Sequence, residues 1–243
     1  AAGLVGSPTY AFVSDSDTGM WRADADTLGF VTNSVNRLVL DNNSRISLSN
    51  NAFSGDSNNT LFGAGCGEDL ESGATFNCFM GHQAGKEEDE GDHNTAFGST
   101  AYAANGTHTA SSYNTCIGSA SGHNMGTGGA ADRNTAVGYA SLTALTTGDS
   151  NVAVGSLAGD AITTSSYNTL LGEGAGGLIA TGDGQNVCVG RNSGANHDTL
   201  AKSVFIGNDA GKNIDGANNN TAVGFAAMES VSAGTSDAGN NVA

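Results

Sequence analysis

The residues of this chain that could support chemistry are five histidines, four cysteines and one acidic run. Catalytic and metal-binding sites need such side chains at spacings that bring them together, such as a nucleophile with its base. The histidines occur singly along the chain: His82, His93, His108, His123 and His197. None has a serine or cysteine at a recognisable spacing, so the sequence predicts no catalytic residue and no enzyme activity.

The cysteines are Cys66, Cys78, Cys116 and Cys188, and their spacings match no zinc or redox motif. Three of them lie in a short apolar segment that recurs along the chain, where other copies carry Ala, Leu or Phe. We interpret them as small buried apolar side chains. The sequence therefore predicts no metal site and no cofactor.

The acidic run extends from Glu87 to Asp92. Carboxylates at this density could hold calcium, but the run lacks the ligand spacing of known calcium loops, and we expect a solvent-exposed loop. A second alternative concerns His82, which directly follows Gly81. If three copies of the chain met at an axis, three such histidines could bind a metal or an anion.

Composition excludes several classes of protein. The chain has 243 residues, a formal net charge of −16, 37 glycines and one proline. Such a charge repels phosphate backbones, so we expect no nucleic-acid partner. No apolar run approaches the ~20 residues that cross a bilayer, so we expect no membrane insertion. Scarce proline argues against collagen, and regularly spaced apolar residues argue against disorder.

A five-residue repeat ending in glycine organises most of the chain. Its glycines, separated by 17 to 20 residues, are Gly63, Gly81, Gly98, Gly118, Gly138, Gly155, Gly172, Gly190, Gly207 and Gly224. Nine copies begin with asparagine, and one begins with Ser203; the asparagines are Asn59, Asn77, Asn94, Asn114, Asn134, Asn151, Asn168, Asn186 and Asn220. An eleventh copy starts at Asn241. We interpret the chain as a piece of a longer polypeptide.

This pattern predicts an all-β parallel solenoid, or β-roll, with two short strands and two turns in each rung. The glycines form turns, and the asparagines stack as an internal ladder between rungs. A small residue follows each glycine by three positions, as a tight inward corner requires. Both faces of the recurring strand are apolar, so one face needs cover from sister copies, and we predict a homotrimer. We expect water not to reach Leu61, Phe79, Leu170 and Phe205.

The Asn-Thr-Ala-Val-Gly repeat resembles the left-handed parallel β-roll of trimeric autotransporter adhesin heads, a repeat that also occurs in phage tail fibres. The resemblance covers residues 57–243. Residues 1–56 do not repeat. They predict strands at Thr9–Val13, Gly19–Arg22, Thr27–Thr32, Asn36–Asp41 and Arg45–Ser49. Their motifs, Asp15-Ser-Asp-Thr-Gly-Met-Trp-Arg22 among them, resemble a module that precedes the shaft or tip of tailed-phage fibres.

The longest stretches between copies, Tyr102 to Tyr113 and His123 to Arg133, should be outward loops. Candidate surface contacts are Tyr102, His108, Tyr113, His123 and Arg133. We expect Trp21 and Phe30 to pack between chains, with an aromatic platform for carbohydrate as the alternative.

The resemblance implies a virion tail-fibre or spike segment that mediates host attachment. Its partners would be sister chains, other fibre or baseplate proteins, and a host receptor that could be a glycan. One alternative is the head of a bacterial trimeric adhesin at the cell surface. A remote alternative is an ice-binding solenoid, but its threonine position gives way to Val or Cys in four copies.

Overall fold

The computed structural model describes residues 4, 6–24, 27–40, 46–48, 58–70, 73–87, 90–104, 109–179, 181, 184–196, 200–214, 218–231 and 242–243. All regular secondary structure found in these residues is β-strand, which confirms the all-β fold class. They form a five-stranded, a ten-stranded and a two-stranded sheet. Among these residues, no helix is long and apolar enough to span a membrane.

The N-terminal sheet is an antiparallel meander whose five strands lie in chain order. Its strands are β1 (Tyr10–Phe12), β2 (Asp15–Asp24), β3 (Thr27–Thr32), β4 (Val35–Leu40) and β5 (Ile46–Leu48). Each overlaps a strand predicted from the sequence. The β3–β4 turn shows why: Asn33 and Ser34 have φ values of 48° and 58°, the positive values that a two-residue type I′ turn requires.

The repeats form a ten-stranded parallel sheet whose strands also follow chain order. Its strands are β6 (Thr60–Phe62), β7 (Cys78–Met80), β8 (Thr95–Phe97), β9 (Thr115–Ile117), β10 (Thr135–Val137), β11 (Val152–Val154), β12 (Thr169–Leu171), β13 (Val187–Val189), β14 (Val204–Ile206) and β16 (Thr221–Val223). Equivalent residues pair in every neighbouring strand, for example Ala136 with Ala153. This is a parallel β-solenoid, as the sequence predicts.

The prediction of two strands in each rung is wrong for the described residues. A second strand pair is present once, between β15 (Asn213–Ile214) and β17 (Ser230–Val231). Elsewhere the rest of the rung runs through turns. Besides the turn glycine, positive φ values interrupt it at three positions, which in one rung are Arg133 (58°), Ala140 (51°) and Leu142 (48°). Such residues break the extended backbone that a strand needs.

The interior of the solenoid is built from the middle residue of each strand. These residues are buried in all strands except β6, and they are Phe79, Ala96, Cys116, Ala136, Ala153, Leu170, Cys188, Phe205 and Ala222. Thus Phe79, Leu170 and Phe205 are shielded from water within a single chain, whereas Leu61 is half-buried because β6 is an edge strand. A second buried column follows the turn glycines by seven residues: Met125, Leu145, Ile162, Ile179 and Ile214.

Core volume is shared between the middle strand residue and the residue six positions later. Where the strand carries a large residue, as at Leu170, the later residue is glycine, here Gly176. Where the strand carries alanine, as at Ala136, the later residue is large, here Leu142. Seven of ten rungs follow this rule, and in two more the strand residue is cysteine and the later residue is glycine. The exception is Gly159, where a Cβ would lie 2.7 Å from Leu170 and 3.0 Å from Leu142 of the neighbouring rungs.

Tyr102 obeys the same rule, and its assignment as a surface contact is wrong. It lies six residues after Ala96, is 1% exposed, and packs on Phe79 with ring centroids 6.2 Å apart. Its hydroxyl donates to the carbonyl of Ser111 at 3.2 Å. The stretch from Tyr102 therefore turns inward at its start, because its large ring fills the volume that the small alanine leaves empty.

Candidate interaction surface

The nine asparagines occupy the same position in the repeat and form one buried column. The Asn151 side chain illustrates the contacts. Its Oδ1 accepts from the backbone N–H of Asn168 at 3.0 Å, and its Nδ2 donates to the carbonyl of Ser165 at 2.9 Å. Ser203 substitutes in its rung, since its Oγ accepts from the backbone N–H of Asn220 at 3.1 Å. The column therefore joins rungs internally and presents nothing to a ligand.

A second ladder, which the sequence analysis missed, lies two residues before these asparagines. Asp132 Oδ1 accepts from the backbone N–H of Ser112, and Asp149 Oδ1 accepts from that of Asp132, both at 2.8 Å. Asp92 Oδ1 accepts from the N–H and hydroxyl of Thr75 at 2.6 and 2.7 Å. Asp92 is therefore a structural acceptor and not a freely solvated part of the acidic run.

The turn glycines form a column where successive rungs touch through their backbones. Gly155 has a φ of 141°, and a Cβ built on it would overlap the carbonyl of Gly172 in the next rung. The same overlap recurs from Gly63 to Gly207. Any side chain in this column would push two rungs apart, so the requirement for glycine is steric as well as conformational.

Some side chains of each repeat point away from the interior of the solenoid, and together they form what we call the outer sheet face. Its apolar column consists of the residues that precede the turn glycines: Phe62, Met80, Phe97, Ile117, Val137, Val154, Leu171, Val189, Ile206 and Val223. All ten are exposed or half-buried, and Phe62 is 62% exposed. Strand alternation explains this, because the buried middle residue leaves both of its neighbours outside.

A threonine column lies beside the apolar column and consists of the first residue of each strand. Its members are Thr60, Cys78, Thr95, Thr115, Thr135, Val152, Thr169, Val187, Val204 and Thr221. Cys78 is exposed in this column, so its prediction as a buried side chain is wrong. Cys116 and Cys188 occupy the inward position and are buried, as predicted, and burial raises the pKa of Cys188 to about 12.

A third outward column, also missed from the sequence, consists of the residues directly before the asparagines. Its aromatic end is a stack: the Phe76 and His93 rings lie 4.9 Å apart, and the His93 and Tyr113 rings 5.1 Å apart, with planes within 9° of parallel. We call the whole column, including its members that are not aromatic, the aromatic column. All three residues have φ near 60°, which turns their side chains out of the coil, and Tyr113 is 58% exposed.

The candidate contacts do not converge on one site. Tyr113 and Arg133 follow each other in the aromatic column, and Arg133 lies 3.9 Å from Asp132 and 4.0 Å from Asp149. His123 is half-buried in another part of its rung, with its Nδ1 3.1 Å from Asn124 Oδ1. His108 and His197 lie outside the described residues. The stretch from His123 is only partly outward, since Met125 is in the core.

Charged groups at the C-terminal rungs pair on the surface. Lys212 Nζ lies 3.0 Å from Asp209 Oδ1, and Arg191 lies 3.9 Å from the same carboxylate. The hydrogen bond from Lys212 holds the pKa of Asp209 below its ordinary value. Asp160 shows the opposite shift, because partial burial raises its pKa. In the described residues, no three His, Cys, Asp or Glu side chains are grouped as a metal site requires.

The chain matches no known protein family, no curated protein and no solved structure.

Proposed function

We propose that this chain is a non-catalytic segment of a bacteriophage tail fibre or spike that assembles as a homotrimer and mediates attachment to a host cell. One observation carries the proposal: the apolar column continues through all ten rungs without a polar residue. At about 4.8 Å per rung, it is roughly 43 Å long. It exposes on the order of 700 Å², which exceeds the ~300–600 Å² patches of monomers and approaches one partner's share of a standard interface.

The arrangement of the columns supports a closed ring of copies. The apolar and aromatic columns flank the threonine column, so at the rungs of Phe76, His93 and Tyr113 the apolar column of one chain can pack against the aromatic column of the next. A contact between two different surfaces closes into a ring when the rotation fits. The resemblance of the repeat to trimeric adhesin heads supports a ring of three. Each rung then joins its sisters at the same height.

The first test is mass in solution. A trimer has a mass of three times 24.1 kDa, or about 72 kDa, and light scattering at micromolar concentration should show it. Ile117→Asp places a charge in the apolar column and should dissociate the assembly. Ser119→Asp is the matched control, because Ser119 is exposed two residues later and should leave the mass unchanged. A wild-type monomer would contradict self-association.

The second test is attachment. Fluorescently labelled trimer should bind saturably to some bacterial strains in a panel and not to others, with unlabelled protein competing. Periodate treatment of the cells would identify a glycan receptor. Binding to animal cells or extracellular matrix, with no bacterial strain bound, would favour the adhesin-head alternative and contradict the fibre assignment.

A further inference from the structure

The N-terminal sheet has an apolar row across its first three strands. Tyr10 pairs with Met20, and Met20 pairs with Phe30. Residues paired across antiparallel strands point to the same face, so these three side chains form one row. Tyr10 is 71% exposed, and Phe12 near it is 67% exposed. The row is therefore open to solvent in the isolated chain.

Two clefts lie along this row. The larger, about 490 Å³, is lined by Tyr10, Phe12, Met20 and Phe30, with Arg37 also in its wall. The second, about 370 Å³, adds Trp21, Arg22 and Leu28 to two of the same residues. Together these apolar side chains expose on the order of 450 Å², a patch within the range of the largest that monomers keep.

The sheet lacks a second layer among its described residues. Pro8, Gly29 and Val31 are the only buried residues among those of positions 4–40 whose burial is described. An antiparallel sheet normally buries one face against another layer. The open row can therefore accept a partner.

We propose that the apolar row is covered by the N-terminal sheets of sister copies in the same assembly, so that the occupant is a second copy of this chain. The inference rests on the proposed self-association of the solenoid. A solenoid trimer holds three N-terminal sheets at high effective concentration. Under that condition, a patch of this size associates without needing to drive assembly alone.

Charge on the sheet favours a sister copy as the occupant. Arg22 and Arg37 lie beside the apolar row, whereas Asp15 and Asp17 lie near the start of the same strand β2. The two carboxylates share a hydrogen bond, which raises the pKa of Asp17 and lowers that of Asp15. An arginine from a neighbouring copy would neutralise this pair, and each chain carries both halves of the contact.

Trp21 is the only tryptophan of the chain, but it pairs with Gly29 and therefore points to the face opposite Met20. Trp21→Phe combined with Tyr10→Trp places a single fluorophore in the row itself, and all variants are made in this background. The experiment measures acrylamide quenching in the full chain, with mass by light scattering in the same samples. Phe12→Asp should raise the quenching constant at least about twofold while the solenoid keeps the trimer mass. Val13→Asp is the matched control, because Val13 is exposed next to Phe12 and lines neither cleft; it should leave quenching unchanged. Ile117→Asp, which should dissociate the solenoid, should expose the fluorophore at position 10 as Phe12→Asp does.

Each other outcome overturns a distinct claim. A trimer without Phe12→Asp whose fluorophore at position 10 is quenched as readily as with it would show an open row, which overturns this inference and leaves the proposed function standing. A fluorophore that stays protected in monomeric Ile117→Asp would show that the cover comes from its own chain, with the same consequence. A wild-type monomer would overturn the proposed self-association and this inference together.

Discussion

The shared core volume predicts that two destabilising substitutions in one rung compensate each other. The pair is Leu170→Ala and Gly176→Leu. Leu170 is fully buried, and a Cβ on Gly176 would lie 2.7 Å from its Cδ2 and 3.0 Å from Ile179 Cδ1. The exchange rebuilds an arrangement that the chain already contains, with alanine at Ala136 and a buried leucine at Leu142.

The magnitudes follow from burial and backbone geometry. Leu170→Ala removes a fully buried side chain and should cost about 2–5 kcal/mol. Gly176→Leu overfills the site at a cost of about 1–3 kcal/mol and places a side chain at a φ of 62°, which costs roughly 1–2 kcal/mol more. In the double variant the new leucine enters the vacated volume, so only the backbone cost should remain. We expect a coupling free energy of about 3 kcal/mol or more.

The assay is guanidinium unfolding of the four proteins, followed by circular dichroism at one protein concentration, because the proposed assembly would make stability depend on concentration. A control cycle replaces Leu170→Ala by Leu171→Ala. Leu171 points outward, so it should show no coupling with Gly176→Leu. A double variant whose loss of stability equals the sum of the single losses would refute the idea of shared volume.

Three further predictions concern single positions. Asn151→Ala should lower the free energy of unfolding in urea by about 2–4 kcal/mol, because it leaves the buried backbone N–H of Asn168 without its acceptor. Asn151→Ser keeps an oxygen there and should lower it clearly less. Equal losses would contradict the ladder. Gly155→Ala should lower the melting temperature far more than Gly128→Ala, since both glycines have positive φ but nothing lies within 4 Å of a Cβ on Gly128. Similar losses would show that steric overlap between rungs is unimportant. Burial raises the pKa of Cys188 to about 12 from an ordinary 9.0, so the buried thiol should contribute stability that is complete below pH 9 and is lost as pH rises towards 12, because the unfolded thiol ionises first. In unfolding experiments at pH 7 to 11, Cys188→Ala should lose less stability at alkaline pH than the wild type. Parallel pH profiles for the two proteins would contradict this prediction.

The sequence predicts the solenoid well because the positions of the repeat glycines directly specify which strand residues pair. Pairing of Ala136 with Ala153, or of Leu170 with Cys188, follows from aligning the glycines alone. The five N-terminal strands were equally predictable, because turns such as Asn33-Ser34 separate alternating apolar residues. In both cases a local pattern specifies a local structure.

The side chains of the longer rungs were not predictable in this way. Polar loops and a buried ring look alike in a stretch of irregular length, so Tyr102 was assigned to the surface. Its position six residues after Ala96 was the available signal, since the rungs of Ala136 and Ala222 carry a large residue at the same position. Phe76, His93 and Tyr113 carried a signal too, because each directly precedes a repeat asparagine.

Cys78 shows why composition of a strand does not by itself identify its inward side. In Cys78-Phe-Met80 all three residues are apolar, and only strand alternation around Phe79 decides which one is buried. Cys116 has the same residue type but occupies the middle position, so it is buried. Phase within the repeat, and not residue type, therefore separates the core from the outer sheet face.

This geometry also explains why assembly is the natural expectation for such a chain. A strand of three residues, such as Val187–Val189, directs one side chain inward and two outward. When one of the two outward residues is apolar in rung after rung, a single coil must leave at least as many apolar strand side chains outside as inside. The proposed assembly would bury that column along the whole length of the outer sheet face. A column interrupted by charge every few rungs would have indicated a solenoid that functions alone, and none of the ten residues of the apolar column is charged.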